Sequence, residues 1–321
     1  MSASLVGSEM CIRDRATVVK TLQSGGHFGT AHVYHCALES FISFCRSRNV
    51  AFGALTSVRL KHYENHLLNR GLKRNTVSTY MRMLKATYRR AFRERVIGAY
   101  NPLLFSDVET STYACVKRAI HPSAMGHVLT ARLGELPESL RATCVRASLM
   151  YRFQGMSFAD YIHLPFHGLE PGKRLSYERK KTKRPLTVLI SEETQALIDE
   201  DANTAPSSVY LFPVLEGQPW GSEEAYKTYQ RALRSFNRNL ARLSEWLNLG
   251  VRLSSYTIRH TWATTAFRQK VPVGIISNAM GHSSIRVTET YMKPFEEEEV
   301  ARINEGIIDY TISQSKLDCI L

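Results

Sequence analysis

The sequence lacks the signatures of a disulfide framework, a zinc site and a membrane protein. Its six cysteines are scattered over 321 residues without a C-x-x-C pair, which argues against structural zinc and paired disulfides. No apolar run approaches the roughly 20 residues of a membrane-spanning helix. The N-terminus also lacks the long apolar core of a signal peptide. We therefore expect a protein of the reducing cytoplasm that uses neither a metal nor a membrane.

Positive charge, in contrast, is present in excess. Lys and Arg number 42 against 29 Asp and Glu, so the formal net charge is +13. Such a charge predicts a polyanionic partner, although membranes and acidic proteins also attract basic chains. The hydrophobic share of 44% suffices for packed cores, and the length predicts about two domains.

The N-terminal third is predicted to be helical. Residues 1–15 resemble translated sequencing-adapter sequence, so we treat them as a non-native leader. Apolar residues then recur at helical spacing over Thr30–Ser47 and again over Ser57–Asn69. A third helix is predicted to begin at a cap formed by Asn75 or Thr76. Its apolar stripe comprises Val77, Tyr80, Leu84, Tyr88 and Ala91.

A proline and a polar stretch end this helical region. Asn101-Pro102 breaks the pattern, and the residues that follow are polar and weakly patterned. We predict a helical domain over residues 16–101, a linker over 102–118 and a second domain over 119–321. Within the second domain, the segment LSYERKKTKRPLTVLI predicts two strands joined by a basic turn. The fold class is therefore mainly α with a small β-sheet (α+β).

The stretch Ser255–Pro294 brings several reactive residue types together. It reads SYTIRHTWATTAFRQKVPVGIISNAMGHSSIRVTETYMKP and contains Arg259, His260, His282 and Tyr291. Serine caps, a proline and a glycine predict short helices that hold these side chains at fixed points. Each residue alone is more often structural, because Gly-His after a helix is usually a cap and a tyrosine near a C-terminus usually packs in a core.

In this order, the pieces resemble the catalytic box of the tyrosine recombinase (phage integrase) family. The chain matches R-H-T-x-A-T, then G-H-S-S, then T-x-x-Y, and Tyr291 follows His282 by nine residues as in that family. The resemblance extends from about Gly29 to Pro294. It implies a helical, SAM-like core-binding domain and a tyrosine-recombinase catalytic domain, which together clamp duplex DNA.

The resemblance also implies how DNA is cleaved. Tyr291 attacks the phosphorus and forms a 3′-phosphotyrosine, so neither a metal nor ATP is needed. Arg259 binds and neutralises the phosphate. His282 hydrogen-bonds the phosphate or Tyr291, and Lys181 in the basic turn protonates the departing 5′-oxygen. His260 more often supports the helix than touches substrate.

Two positions depart from the family pattern. Ser157 stands where most members carry their first catalytic arginine, and Tyr256 stands where many carry a histidine. In both respects the chain resembles integrases of mobile elements from gut Bacteroidetes. Arg179 precedes Lys181 by two residues, so we expect both on one strand face, with Arg179 supplying the missing charge. Tyr256 can hydrogen-bond a phosphate oxygen but is not a base at neutral pH.

Further DNA contacts are expected in the N-terminal domain. The stretch GLKRNTVSTYMRMLKATYRRAFR resembles the second half of the family's core-binding domain, and its basic helix start suits phosphates. The implied contacts are Lys73, Arg74, Asn75, Thr76 and Arg82. A predicted helix over Glu223–Leu247 also has a basic side, which lies against DNA or is merely solvated; the sequence favours neither.

The resemblance further implies a set of partners and a location. These are double-stranded DNA, a homotetramer with a dimer at each site, and accessory DNA-bending proteins, in the bacterial nucleoid. An amphipathic segment over Ala301–Tyr310 would then dock on a neighbouring protomer, with packing in cis as the alternative. The enzyme would be the integrase, excisionase or invertase of a mobile element, or a resident resolvase.

Two other functional hypotheses stay open at this point. One is a catalytically silent DNA-binding relative, motivated by the two departures from the family pattern. The other is a general basic DNA-binding protein whose Tyr291 is structural. The joint presence of Arg259, His282, Tyr291 and Lys181 favours an active enzyme, because binding alone needs none of them.

Overall fold

The computed structural model describes residues 16–47, 49–113, 119–204, 208–290 and 297–318. The chain divides into two compact units. The first comprises Met1–Cys115 and Gly217–Gln230, and the second comprises Val116–Glu216 and Arg231–Leu321. The described residues are mainly helical and include one three-stranded sheet, so the predicted fold class is confirmed.

The first unit is built from helices around one apolar core. Its helices are α1 (Ala16–Ser24), α2 (Phe28–Cys45), α3 (Ser57–Asn69), α4 (Arg74–Arg93) and the first turns of α9 (Glu223–Trp246). The bounds of α3 are those that the sequence predicts. Thr56 caps α3, since its side chain accepts a hydrogen bond from the backbone N–H of Arg59. The core includes Phe41, Leu60, Tyr63, Met81 and Leu84, all buried.

The predicted cap of α4 is wrong. The helix begins at Arg74, and Asn75 lies inside its first turn. The Asn75 side chain pairs instead with the backbone of Tyr113. Its Nδ2 donates to the Tyr113 carbonyl at 3.0 Å, and its Oδ1 accepts from the Tyr113 N–H at 2.8 Å. Asn75 therefore holds a distant segment of the chain rather than the start of its own helix.

The first part of the predicted linker, residues 102–113, packs on the first unit. Leu104, Phe105 and Val108 are buried in its core. Glu64, buried on α3, accepts a hydrogen bond from the Glu109 N–H at 2.7 Å. The sequence did not predict this packing because the three apolar residues follow neither a helical nor a strand period.

The second unit combines helices with the small sheet. Its elements are α5 (Pro122–Leu129), α6 (Glu138–Arg152), α7 (Phe158–Tyr161), β1 (Leu169–Glu170), β2 (Arg174–Glu178), β3 (Pro185–Leu189), α8 (Glu192–Asp201), the rest of α9, α10 (Ser255–Arg268), α11 (Val273–Ala279), α12 (Ile285–Glu289) and α13 (Glu297–Asp318). Ser254 caps α10, because its side chain accepts from the Thr257 N–H. This fixes the start of the helix that carries Arg259.

The sheet is antiparallel, in the order β1-β2-β3. Leu175 pairs with Val188, and both are buried, while residues on the opposite face are mostly exposed. The hairpin between β2 and β3 is the basic turn that the sequence predicts. It carries residues 179–184 toward the end of α11.

α13 presents apolar side chains to solvent. The exposed set comprises Val300, Ile303, Ile307, Ile308, Tyr310 and Ile312. No α-helix within the described ranges combines the length and apolar character needed to cross a bilayer.

A buried ion pair joins α6 to α8. Arg146 Nε and Nη2 donate to the two oxygens of the Asp201 carboxylate, each at 2.8 Å. The hydroxyl of Tyr161 also donates to Asp201, at 2.8 Å. Burial and the nearby carboxylate raise the pKa of Tyr161, so this hydroxyl stays protonated as a donor.

Asp201→Ala is expected to lower the free energy of unfolding by about 3 kcal/mol. The substitution leaves the largely buried guanidinium group of Arg146 and the buried hydroxyl of Tyr161 without their shared acceptor. Glu200→Ala is the matched control, since its pair with Arg141 is more exposed and should contribute less than about 1 kcal/mol. Urea denaturation followed by circular dichroism measures both variants. Equal losses would contradict a special role for Asp201.

Candidate active site

The backbone turn Met280–His282 is the point on which the candidate site converges. Gly281 adopts a left-handed conformation there, with φ of +61°. A Cβ atom on Gly281 would lie 2.8 Å from Arg179 Cδ and 2.8 Å from Leu186 Cδ1. Only glycine fits both the conformation and the contact, so the turn packs directly against the β2–β3 hairpin.

Arg259 reaches this turn from α10. Its side chain is buried, with 4% of the residue exposed. Nη1 donates to the Gly155 carbonyl at 2.7 Å, and Nη2 donates to the Met280 carbonyl at 2.8 Å. Nη2 also lies 3.0 Å from His282 Nε2. These contacts fix the guanidinium between two backbone turns.

Gly155 forms the second of these turns, after α6. Its φ is +67°, and a Cβ atom there would lie 3.0 Å from Trp262 Cβ and 3.4 Å from Arg259 Cα. The turn therefore lies against α10. The sequence aligned Gly155 with the glycine of the family pattern, and the structure places it beside Arg259.

Ser157, at the position of the family's first arginine, forms a helix cap. Its hydroxyl donates to Asp160 Oδ2 at 2.7 Å and accepts from the Asp160 N–H at 3.2 Å. Asp160 is 5% exposed, and its Oδ1 accepts from the backbone N–H of Lys180 at 2.9 Å. The serine thus orients a carboxylate that contacts the basic hairpin.

Arg179 reaches the same turn as Arg259, from the hairpin. It is 7% exposed, and its Nη1 donates to the Gly281 carbonyl at 2.5 Å. Its Nε lies 3.6 Å from Asp160 Oδ2. The structure therefore places a second buried guanidinium group close to His282. Ser157, where the family pattern predicts an arginine, carries no such charge.

The expectation that Arg179 and Lys181 share a strand face is wrong. β2 ends at Glu178, and the chain turns directly afterwards because the Lys183 N–H donates to the Arg179 carbonyl at 2.8 Å. Arg179 is buried, whereas Lys181 is exposed. Lys181 still contributes positive potential at His282, so the turn keeps it close to the site.

His282 is almost fully buried, with 1% of the residue exposed. Its Nδ1 lies 2.8 Å from the hydroxyl of Thr288. Burial, followed by the charges of Arg259 and Arg179, lowers the pKa of His282 to about 3. The imidazole is therefore neutral at physiological pH.

The buried histidine His163 supports the hairpin, and the sequence did not reveal it. His163 Nδ1 donates to the Ala159 carbonyl at 2.7 Å, and Lys180 Nζ donates to His163 Nε2 at 2.6 Å. Burial and the charge of Lys180 lower the pKa of His163 to about 4. No sequence signal links the two residues, because the contact arises only when α7 and the hairpin meet.

The remaining residues of the catalytic box lie on or after α10. Tyr256 is 52% exposed in the first turn of α10, and its ring centroid is 5.3 Å from that of His260. His260 is buried, as expected of a supporting residue. Tyr291 lies outside the described residues.

The residues of the first unit that are predicted to contact DNA lie at the start and along one side of α4. Lys73, Arg74, Thr76 and Arg82 are exposed. Arg74 also lies over the ring of Tyr113, at 5.6 Å from its centroid.

In the second unit, the basic side of α9 is exposed and lies opposite buried Phe236 and Leu240. Its members are Arg231, Arg234, Arg238 and Arg242.

Comparisons with known proteins match both the N-terminal and the C-terminal part of the chain. The family model for the phage integrase SAM-like domain matches residues 16–103, and that for the phage integrase family matches residues 154–298. Tyrosine recombinase XerD of Bradyrhizobium diazoefficiens is 23% identical over 295 residues, covering 86% of this chain and 89% of that protein. XerD of Rhizobium meliloti is 22% identical over 319 residues, covering 92% and 93%.

Solved structures share the fold. The XerH site-specific recombinase, bound to its palindromic difH substrate, has a TM-score of 0.63 at 18% identity, covering 92% of this chain and 85% of that one. The Tn1549 transposon integrase, in complex with a circular intermediate DNA, has a TM-score of 0.60 at 15% identity, covering 92% and 99%.

The chain belongs to the tyrosine recombinase (phage integrase) family. It is a site-specific recombinase of the tyrosine type, as the sequence predicts. Its placement among integrases of Bacteroidetes mobile elements stays a prediction.

His163 and His282, which are buried and have lowered pKa values, predict acid sensitivity. Their pKa values lie below the ordinary value of about 6.5, so the unfolded chain takes up protons before the folded chain does. Stability should therefore be complete above about pH 6.5 and fall as the pH is lowered toward 4, at about 1.4 kcal/mol per unit of pKa difference. Urea denaturation at a series of pH values measures this slope.

His163→Gln should flatten the slope because one of the two titrating groups is removed. His167→Gln, at an exposed position of the same unit, is the control and should keep the wild-type slope. An unchanged slope in His163→Gln would show that His163 is not buried as a neutral group.

Proposed function

We propose that the protein cleaves and rejoins double-stranded DNA at a specific site through a 3′-phosphotyrosine on Tyr291. The observation that carries this proposal is the convergence of Arg259, Arg179 and His282 on one backbone turn, nine residues before Tyr291. A binding protein has no need to bury two guanidinium groups beside a histidine. An enzyme that stabilises a phosphorane-like transition state does.

Arg259 and Arg179 together would neutralise the phosphate. Attack of the Tyr291 oxygen on phosphorus adds negative charge to the non-bridging oxygens, and planar guanidinium groups match those oxygens well. Both arginines are buried, so their charge acts in a medium of lower dielectric constant than water. Arg179 thereby substitutes for the arginine that Ser157 replaces.

The other site residues would handle protons and hydrogen bonds. His282, neutral in the free protein, would hydrogen-bond the phosphate or Tyr291, and the phosphate charge would raise its pKa on binding. Lys181, exposed on the hairpin, would protonate the 5′-oxygen as the phosphorus–oxygen bond breaks. Tyr256, exposed one turn before Arg259, would donate a hydrogen bond to a phosphate oxygen. The reaction conserves the phosphodiester energy and needs neither a metal nor a nucleotide.

DNA is the partner that the charge distribution favours. The exposed arginines of α9 and the basic start of α4 would contact phosphates, where they act without reading sequence. Asn75 is not among the contacts that the geometry supports, because its side chain holds Tyr113. Related recombinases were solved with DNA bound, which supports the same partner here.

We further propose a homotetramer on DNA, with a dimer at each site. α13 exposes Ile303, Ile307 and other apolar residues, and such a face gains stability only when another surface covers it. A neighbouring protomer would supply that surface. Accessory DNA-bending proteins would assist this tetramer, and the protein would associate with the nucleoid. It would act as the integrase, excisionase or invertase of a mobile element.

A catalytically silent DNA-binding relative is the second candidate. The specific observation in its favour is the capping role of Ser157, which leaves the family's first arginine position without positive charge. The two candidates differ in one measurable property, the covalent adduct.

The adduct should form when the protein is incubated without metal on nicked duplexes from DNA that flanks its gene, and it should be visible as a shifted band on a denaturing gel. Tyr291→Phe should abolish the band, because phenylalanine has no hydroxyl with which to form the phosphoryl linkage. Footprinting on the same DNA establishes that the correct site is present. A defined footprint without any adduct would favour the silent relative.

Arg179→Ala should slow adduct formation by about 10²–10³-fold, the usual cost of losing one electrostatic contact to a transition state. Lys183→Ala is the matched control, because Lys183 lies in the same turn, is exposed and pairs only with Glu178 at the surface among the ion pairs of the described chain. DNA affinity, measured in parallel, should change little in either variant. Equal rates in the two variants would contradict the role proposed for Arg179.

A further inference from the structure

A buried hydroxyl beside the candidate site is not used by the reaction proposed above. Thr288 lies on the short helix α12, and none of the residue is exposed. Its Oγ1 lies 2.8 Å from His282 Nδ1. Thr288 also precedes Tyr291 by three residues, so the two Cα atoms are at most about 11 Å apart.

The contacts of His282 assign its neutral form. A guanidinium group can only donate hydrogen bonds, so the Nε2 atom that faces Arg259 Nη2 at 3.0 Å must accept. A neutral imidazole carries a single N–H. That proton therefore resides on Nδ1, which donates it to the hydroxyl of Thr288.

We propose that Thr288 is a positioning residue that holds His282 in the Nδ1–H form. By accepting a hydrogen bond from Nδ1–H, Thr288 leaves Nε2 unprotonated beside Arg259, so Nε2 is the atom that would take up a proton when the substrate phosphate binds. The same hydrogen bond connects His282 with α12, the helix that precedes Tyr291 in the sequence. Its catalytic consequence rests on the proposed function, whereas the assignment of the proton does not.

The proton position is measured directly by two-bond ¹⁵N–¹H correlation spectra of the full-length protein labelled in its imidazole nitrogens. His282→Gln identifies the signals of His282. At pH 7 we expect Nδ1 protonated and Nε2 unprotonated. A spectrum with Nε2 protonated would overturn the proposal whatever the activity of the protein.

Two variants test whether Thr288 is the cause. Thr288→Val keeps the shape of the side chain and removes the hydroxyl, so the buried Nδ1–H loses its acceptor. The ring should then leave its place against Arg259, and His282 should populate both neutral forms. Thr288→Ser retains a hydroxyl and should restore the Nδ1–H form. Thr290→Val is the matched control, because Thr290 is exposed on the same segment and its hydroxyl donates to the Val287 carbonyl at 2.6 Å. An unchanged proton position in Thr288→Val would overturn the proposal.

The same variants connect the proton to catalysis. Thr288→Val should slow adduct formation by about 10–100-fold, as is usual when the partner that orients a functional histidine is lost. DNA affinity should stay constant, and Thr288→Ser should recover the rate. If Thr288 had only a structural role, Thr288→Val would lower thermal stability and DNA affinity together, and Thr288→Ser would not restore the proton position. That result would contradict the proposal.

The two proposals fail in different ways. Absence of an adduct from the wild-type protein on its footprinted site would contradict the proposed function, while the spectra would still decide the role of Thr288. If Thr288→Val does not fold, the wild-type spectrum and Thr288→Ser still decide the proton position.

Discussion

The second unit depends on the burial of two guanidinium groups beside one backbone turn. Arg259 reaches the turn at Gly281 from α10 and Arg179 reaches it from the hairpin, and each donates to a backbone carbonyl there. Burying like charges is costly unless their N–H groups are satisfied. The carbonyls and the Asp160 carboxylate offset that cost. The positive charge is therefore in place before any phosphate arrives, which is the arrangement that catalysis by electrostatic stabilisation requires.

Several local features follow from this constraint. Gly281 has to be glycine, because a Cβ atom would displace Arg179 or the hairpin. His282 is neutral, because burial and two nearby positive charges oppose its protonation. Ser157, where the family pattern predicts an arginine, orients Asp160, and Asp160 in turn lies beside Arg179. The compensation proposed for Arg179 thus involves a charge that enters from another element.

Local sequence signals predicted much of the fold and part of the site. The bounds of α3 were correct because a capping threonine and a left-handed glycine delimit it. The cap of α4 was wrong because Asn75 pairs with Tyr113, a partner that lies far along the chain. Residues 102–113 read as a linker for the same reason, since their burial depends on α3 and α4 rather than on a pattern of their own.

The sequence by itself determined the family. It also predicted the reacting groups, because the spacing of Arg259, His282 and Tyr291 is a local property of one stretch. Only the tertiary structure decided where Arg179 lies, since its contact with Gly281 joins residues 102 positions apart. The proposed position of the proton on His282 also depends on the tertiary structure, because it follows from which side chains face the two ring nitrogens. Such contacts are absent from any local pattern, and they form only when the hairpin, α10 and α12 meet.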